Sequence, residues 1–459
     1  MKVKLFLTFL LLAAKIGCLK SQRPEKEPLP VKEKVKPNII FLIGESHRAE
    51  ALGVAGNPFV RTPNLDQLAQ AGIMFSHAYV TTAISSVSRA GIFTGQHRAR
   101  HGINDFTTNF SPEALQETFP MVLKSNGYAI ALIGSYGVGN QPPKAQFTYW
   151  ENAPWTVDGV HNTDLIVEKA SDWLDNYSGD RPFYLNLSFA AAHEIDPKPD
   201  TPAYFLIQER YKDLYEDIGI PVPKTAASGY WNSFPDFFRT DQNIARQRWY
   251  GFFSSEELFQ KSAKDYYRLI TGLDEAVGKI RKKLQTLGLA DNTIIIYTSD
   301  HGFSLGEHGM MGKWYGFDAG IRVPLIIYDP RYHDLHGIEN TSIALNIDIA
   351  PTILSMAGLS APSRMQGVNL IDMTCGKNPE RTSFFYEHTV FNTPLLPKVE
   401  GVVTKTMKYM IYTEHDYESL YDLVMDPDES INLAGDPAYR DALTEMRRLY
   451  AIEKTCANQ

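Results

Sequence analysis

Five short apolar runs, separated by segments with helical spacing, constrain the fold of this chain most strongly. A run that is apolar throughout suits a strand buried on both faces of a parallel sheet. Before the run at 293–298, residues 265–287 place apolar side chains on one helical face. The alternation predicts an α/β fold, a large, doubly wound, mostly parallel sheet flanked by helices. The runs are residues 38–43, 130–133, 183–187, 293–298 and 323–328.

Two later segments depart from this alternation. Residues 198–260 are irregular and rich in aromatic side chains, which predicts an insertion over one face of the sheet. Past about residue 370 the chain changes to short segments such as 399–405 and 409–413. We therefore predict an α/β domain over residues 37–370 and a small C-terminal α+β subdomain over residues 371–459.

The aromatic side chains of the insertion have two interpretations. Aromatic faces pack on sugar rings, so these side chains are candidate contacts with a polysaccharide. Alternatively, they fill the small core of the insertion itself. The residues concerned are Tyr230, Trp231, Phe234, Phe237, Phe238, Trp249, Tyr250, Phe252 and Phe253.

The first 36 residues predict export. Residues 1–18 combine Lys2 and Lys4 with an apolar stretch over 5–14, which is typical of a signal peptide and too short to span a bilayer. Gly17 and Cys18 resemble the end of a bacterial lipoprotein signal, although Lys15 departs from that pattern. Lipidation of Cys18 and ordinary cleavage both stay open. Residues 19–36 have the composition of a tether, so we expect the protein in the periplasm or at the outer membrane or cell surface, lipid-anchored if Cys18 is modified.

Charge and cysteine content exclude several other classes. The 45 Lys+Arg and 53 Asp+Glu give a net charge of −8, which argues against a nucleic-acid-binding protein. A local pocket for one anion remains compatible with that charge. Three cysteines are too few for a disulfide scaffold or a cysteine-rich zinc module.

Polar clusters follow three of the predicted strands. Glu45 and Ser46 follow the first strand, Asp300 and His301 follow the run at 293–298, and His193 follows the run at 183–187. Ligands of open α/β sheets bind beyond the carboxyl ends of the strands. Each cluster alone equally suits a helix cap or a solvated loop, but three at one edge favour a site. Glu45, Asp300 and His301 offer ligands to a divalent cation; Ca²⁺, which takes six to eight oxygens, would need further ligands from substrate or water.

A serine-rich segment at residues 83–95 carries the most specific pattern. Ser85, Ser88, Arg89, Thr94 and Gly95 stand in the register of the signature of type I sulfatases, with valine at position 87 where that family has proline. The chain resembles this family, a branch of the alkaline phosphatase superfamily, over nearly all of its length after the tether. Residues 298–302 and 306–309, together with a lysine at 313, resemble a second block of the family.

The resemblance implies an alkaline-phosphatase-like fold and hydrolysis of sulfate esters on a sulfated polysaccharide or oligosaccharide. It implies that a maturation enzyme oxidises Ser85 to formylglycine, whose hydrate attacks sulfur. Arg89 would steady this nucleophile, His193 would contact the scissile ester, and Lys313 would lie on the leaving-group side. The implied Ca²⁺ ligands are Glu45, Ser46, Ser85, Asp300 and His301.

Two departures from the family put activity in question. The metal loop has Glu45 and Ser46 where the family has two aspartates, which should weaken or reshape the cation site. After the strand at 130–133, Ser135 and Gly137 replace a catalytic lysine and histidine. Loss of an electrostatic donor and an acid–base group would lower the rate by roughly 10⁴–10⁷ if the effects multiplied. Val87 would also affect recognition by the maturation enzyme.

Three functions follow from these residues. The favoured one is a working, divergent sulfatase in which His47, His97 or His101 takes over a lost role, although each is also typical of a core or surface histidine. The second is an inactive homologue that binds sulfated glycans. The third is another ester hydrolase, such as a phosphoesterase, that uses Ser85 unmodified. The retained Ser85 signature and the block ending at Lys313 favour the enzyme.

Overall fold

The computed structural model describes residues 35–198, 200–390 and 396–459. The predicted signal peptide, Cys18 and nearly all of the predicted tether lie outside these residues. Within the described ranges, no helix has both the length and the apolar character needed to cross a membrane.

The secondary structure follows chain order. The strands are β1 Asn38–Gly44, β2 Ile73–Tyr79, β3 Ala129–Gly134, β4 Tyr149–Glu151, β5 Thr156–Val157, β6 Val160–His161, β7 Phe183–Ser188, β8 Thr293–Ser299, β9 Ser304–Leu305, β10 Met311–Gly312, β11 Leu325–Tyr328, β12 Ile338–Leu345, β13 Ser383–His388, β14 Val399–Thr404, β15 Met407–Tyr412 and β16 Tyr417–Asp422. The α-helices are α1 Pro63–Gln70, α2 Ser85–Thr94, α3 Arg98–His101, α4 Pro112–Gln116, α5 Phe119–Ser125, α6 Asn162–Asp175, α7 Ser228–Asn232, α8 Ile244–Phe252, α9 Glu256–Thr286, α10 Asp318–Ile321, α11 Ile349–Met356, α12 Leu370–Thr374 and α13 Arg440–Asn458.

The main sheet has eight strands in the order β12-β2-β11-β8-β1-β7-β3-β4. Its central strands β8, β1, β7 and β3 run parallel, as predicted from their apolar sequences. Strand β11 runs antiparallel to both β8 and β2, so the sheet is mixed. The predicted α/β fold is therefore confirmed.

Helices cover both faces of this sheet. Along β1, Ile40 and Leu42 pack into a core shared with α1, α6 and α9. The alternate side chains Ile39, Phe41 and Ile43 pack into the opposite core, which contains α2, α5 and α11. Because successive strand residues point to opposite faces, an apolar run without polar breaks is what a doubly covered strand requires.

The carboxyl ends of the parallel strands meet at one edge of the sheet. Gly44 at the end of β1 pairs with Ser299 at the end of β8. Ser188 at the end of β7 is level with Gly134 at the end of β3. The residues that follow these four strands are thereby brought to one place, which is where the sequence predicted a site.

The insertion over residues 198–260 is largely irregular, with two short α-helices, α7 and α8. Of its nine aromatic residues singled out above, Tyr250 is exposed, while five are buried. Those five pack into the two cores that flank the main sheet, so they anchor the insertion to the domain instead of forming a separate small core. They are Trp231, Phe234, Phe238, Phe252 and Phe253.

The C-terminal part forms an antiparallel sheet in the order β13-β14-β15-β16. Helix α13 packs against one face of it through Leu443 and Met446. This is the small α+β unit predicted for the end of the chain. Lys36–Gln459 forms one compact unit, and the predicted boundary at residue 370 stays a prediction.

Candidate active site

Ser85 lies at the first position of α2, between residues from two strand ends. Its Oγ donates a hydrogen bond to Glu45 Oε1 at 3.0 Å and lies 3.2 Å from His301 Nε2. Glu45 follows β1 and His301 follows β8, so the parallel pairing of these strands creates this contact. The start of a helix also carries a partial positive charge, which suits the neighbouring carboxylate.

Arg89, one helical turn after Ser85, holds the buried residues beneath the site in place. Its Nε donates to Asp300 Oδ2 at 3.0 Å, and its Nη1 donates to Ser188 Oγ at 2.5 Å and to the Ser135 carbonyl at 3.1 Å. The side chain is only 2% exposed and Asp300 is fully buried. A buried charge needs a partner, so Arg89 and Asp300 stabilise each other.

The carboxylates and the imidazole around Ser85 suit a divalent cation. One ligand atom from each of Glu45, Asp300 and His301 lies within 4.8 Å of the others. Ser46, held at φ 62°, donates its backbone N–H to Asp300 Oδ1 at 3.3 Å, and its buried Oγ lacks a hydrogen-bond partner among the described residues. This unpaired hydroxyl beside a carboxylate fits the predicted ligand set.

The protonation of these groups also suits a cation. Burial lowers the pKa of His301 to about 3, so its ring is neutral and can act as a ligand. Burial raises the pKa of Asp300, but the positive charges of Arg89 and Lys313 and the hydrogen bond from Arg89 oppose this effect, and the pKa falls below its usual value. Asp300 is therefore an anion.

Ser85 opens into a cavity of about 760 Å³. Glu45, His193 and Lys313 line it, so the structure brings the predicted nucleophile, ester contact and leaving-group lysine to one cavity. His193 Nδ1 lies 2.5 Å from the Glu194 carbonyl oxygen, which orients the ring. Burial lowers the pKa of Lys313, although the carboxylates of Glu45, Glu194 and Asp300 oppose that shift.

Several cavity residues lie outside the predicted set. Among the described residues, none of the nine insertion aromatics predicted as candidate sugar contacts lines the cavity. No periodicity or spacing in the sequence indicates a role for Arg248, whereas Glu194 directly follows the predicted His193. The additional residues in contact with the cavity or its wall include Phe106, Trp155, Glu194, Asp196, Lys198, Tyr204, Ile244, Arg248 and Trp314.

The three histidines suggested as substitutes do not line the described cavity. His47 is fully buried with Nδ1 2.7 Å from Tyr297 Oη and Nε2 3.0 Å from the Ala51 carbonyl, so both ring nitrogens are used. His101 accepts the backbone N–H of Ile103 on Nδ1. Burial lowers the pKa of His97 to about 4 and that of His101 to about 3. The hypothesis that one of them replaces a lost catalytic group is therefore wrong.

The residues at the two lost catalytic positions differ in what surrounds them. Ser135 is exposed. Gly137 adopts φ 73°, and a Cβ there would lie 2.4 Å from Arg89 Cδ. The space that a larger residue would need is thus occupied by a buried arginine held by Asp300 and Ser188.

Restoring a histidine at Gly137 is therefore expected to damage the protein. Gly137→His should lower the free energy of unfolding by roughly 2–5 kcal/mol, from left-handed backbone strain plus overpacking. Urea unfolding followed by fluorescence measures this loss. Ser135→Lys, at the exposed position, is the control and should leave stability nearly unchanged. A Gly137→His variant as stable as the wild type would contradict this account of Arg89.

Comparison with known proteins agrees with this geometry. The profile of the family described as Sulfatase matches residues 37–359, and that described as N-sulphoglucosamine sulphohydrolase, C-terminal, matches residues 306–455. An N-acetylglucosamine-6-O-sulfatase of Bacteroides thetaiotaomicron is 28% identical over 523 residues, covering 98% of this chain and 90% of that protein. An ulvan-active sulfatase of Formosa agariphila is 28% identical, covering 97% and 84%.

Solved structures give the same result. One, described as a complex with its substrate D-glucosamine-2-N,6-O-disulfate, superposes with a TM-score of 0.79 at 25% identity. The match covers 92% of this chain and 98% of that one. With a family profile over most of its length and a matching fold, the chain belongs to the sulfatase family.

Proposed function

We propose that this protein hydrolyses sulfate esters on a sulfated polysaccharide or oligosaccharide, with Ser85 converted to formylglycine. The observation that carries the proposal is the position of Ser85. It lies at the start of a buried helix, within hydrogen-bond distance of Glu45 and His301, and faces a cavity that also holds His193 and Lys313. An unmodified serine would form a stable sulfate ester, whereas a hydrated aldehyde can release sulfate as its carbonyl reforms.

The cation site supports the same chemistry. Glu45, Asp300 and His301, together with the hydroxyls of Ser46 and Ser85, would hold a divalent cation, which we propose to be Ca²⁺. Such a cation supplies Lewis-acid neutralisation of the sulfate charge. The nitrogen ligand of His301 is less typical of Ca²⁺ than an oxygen, so metal content has to be measured.

The remaining residues act on the leaving group and on the charge of the sulfate. His193 Nδ1 must carry a proton to donate to the Glu194 carbonyl, so Nε2 is the atom that can donate to the ester oxygen when the ring is protonated. Lys313 adds a positively charged side chain to the cavity, besides the proposed divalent cation, and would stabilise the charge that develops in the transition state. Arg89 orients Asp300 from below and is a positioning residue.

The substrate class follows from the cavity and the relatives. Trp155, Tyr204 and Trp314 provide flat apolar surfaces suited to a sugar ring, in a cavity large enough for one or two sugar units. The relatives described above act, by their names, on N-acetylglucosamine 6-O-sulfate and on ulvan. We propose a sulfated glycan as substrate, a formylglycine-generating enzyme as partner, and action after export.

One experiment tests the proposal. The protein is made in a host that has the maturation enzyme, and the peptide containing Ser85 is analysed by mass spectrometry. We expect a loss of two hydrogen atoms at Ser85, sulfate release from sulfated oligosaccharides, and calcium in the purified protein. An unmodified Ser85 with no sulfate release would refute it. Tight glycan binding without turnover would then support the inactive homologue, and release of phosphate with Ser85 unmodified would support the other ester hydrolase.

A further inference from the structure

The insertion contributes two cationic side chains to the cavity, Lys198 and Arg248, of which Arg248 is held by ion pairs. Helix α8, which begins after the Asn243 cap, places Ile244 and Arg248 one turn apart, and both line the cavity. Side chains four residues apart share a helical face, so this face of α8 forms part of the wall. Two cations of the cavity lining lie close to Trp314: Arg248 Cζ is 5.8 Å and Lys313 Nζ is 6.0 Å from the centre of its ring.

Two acidic residues hold Arg248, and they differ in burial. Nη1 pairs with Glu194, whose side chain is 1% exposed, whereas Nη2 lies 3.1 Å from Asp196 Oδ1, whose side chain is 70% exposed. The buried pair fixes the guanidinium, because separating it would leave a charge without a partner. The exposed pair contributes little to stability, because water screens it, so Asp196 can be displaced.

Arg248 has different partners from the arginine beside the candidate cation site. Arg89 pairs with Asp300 and Glu45 at the cation site, whereas Arg248, among the described residues, pairs with Glu194 and Asp196. Lys313 lines the same cavity as Glu45 and Arg248. A substrate with its sulfate at Ser85 would therefore bring another part of the sugar to Arg248.

We propose that Arg248 binds a second anionic substituent of the substrate, a sulfate or a carboxylate on the sugar that carries the scissile ester. This inference rests on the proposed function. In the free protein the Asp196 carboxylate takes the place of that substituent on Nη2. Guanidinium groups bind sulfate and carboxylate oxygens in a fixed geometry, which makes Arg248 a selective contact and not only a positive charge.

The test compares two sugars that differ in the second anion. Binding of N-acetylglucosamine 6-sulfate and of glucosamine 2-N,6-O-disulfate is measured by calorimetry. We expect the wild type to prefer the disulfated sugar. Arg248→Ala should weaken binding of the disulfated sugar by roughly 10- to 100-fold, since hydrogen bonds to charged groups contribute about 1.5–3 kcal/mol. The affinity of the same variant for the monosulfated sugar should change by less than about threefold, which corresponds to less than 1 kcal/mol.

Two further variants sharpen the test. Asp196→Asn removes the competing carboxylate and should strengthen binding of the disulfated sugar. Arg239→Ala, in the same insertion but away from the cavity lining, removes the same charge and should change neither affinity. Equal weakening of both sugars by Arg248→Ala, or a wild type without preference for the disulfated sugar, would overturn the proposal. Failure of the proposed function would give a different result: the wild type would still prefer the disulfated sugar in the binding measurement but would release no sulfate.

Discussion

Replacing Ser85 by alanine is expected to abolish sulfate release. The Ser85 Oγ is the atom that contacts both Glu45 and His301, and its carbon is the one that would carry the aldehyde. Removal of a catalytic nucleophile lowers kcat by roughly 10⁴- to 10⁶-fold. The measurement is the initial rate of sulfate release at saturating substrate, with glycan affinity determined in parallel. Affinity should persist, because the cavity wall is unchanged.

Two neighbouring variants make this result specific. Ser86→Ala is the matched control, since the Ser86 Oγ is buried without a hydrogen-bond partner among the described residues, and its loss should leave the rate nearly unchanged. Ser85→Cys offers the maturation enzyme the other starting residue of the family signature and should retain activity. If Ser85→Ala kept most of the wild-type rate, neither formylglycine nor a serine nucleophile at position 85 could be correct.

The central sheet was predictable because burial on both faces leaves a simple pattern. Strands β1, β3, β7 and β8 are apolar throughout, and the residues after them carry the site. The outer strand β12 was not predicted, since its sequence begins Ile338-Glu-Asn-Thr and its first half is only partly buried. Strand β2 pairs with strands on both sides, but it is only partly buried at Ser76 and His77, so its sequence is also mixed, whereas β12 lies at the edge of the sheet. Edge positions relax the requirement for apolar side chains.

The site residues likewise divide into those that the sequence predicts and those that only the structure shows. Glu45, Asp300 and His301 could be placed together because each follows a strand of one parallel sheet. Arg248 could not, since it reaches Glu194 across 54 residues of chain through an irregular insertion. No local pattern encodes such a contact. The sequence also showed that position 137 has no histidine, but only the packing shows that Arg89 occupies the space beside it.

The junction between α10 and the C-terminal sheet depends on a buried lysine. Lys408, on β15, is fully buried, and its Nζ lies 2.6 Å from Asp318 Oδ1 and 2.6 Å from Glu429 Oε1. Burial lowers the pKa of Lys408, but the two carboxylates outweigh it and raise the pKa above its usual value. The lysine is therefore a cation shared by two acids, and burial raises the pKa of one of them, Glu429 on the loop after β16, to about 7.

Replacing Lys408 by methionine should destabilise the protein by about 3–5 kcal/mol, because it leaves two buried carboxyl groups side by side with only Arg322, 3.8 Å from Asp318, as a counter-charge. Urea unfolding measures the loss. Lys405→Met, in the turn between β14 and β15, is the control: Lys405 is 36% exposed and 3.3 Å from Glu380, and an exposed pair contributes at most about 1 kcal/mol. Adding Asp318→Asn and Glu429→Gln to Lys408→Met should recover part of the loss, since amides need no counter-charge. Equal losses for the two lysine variants would show that Lys408 contributes through its alkyl chain and not through its charge.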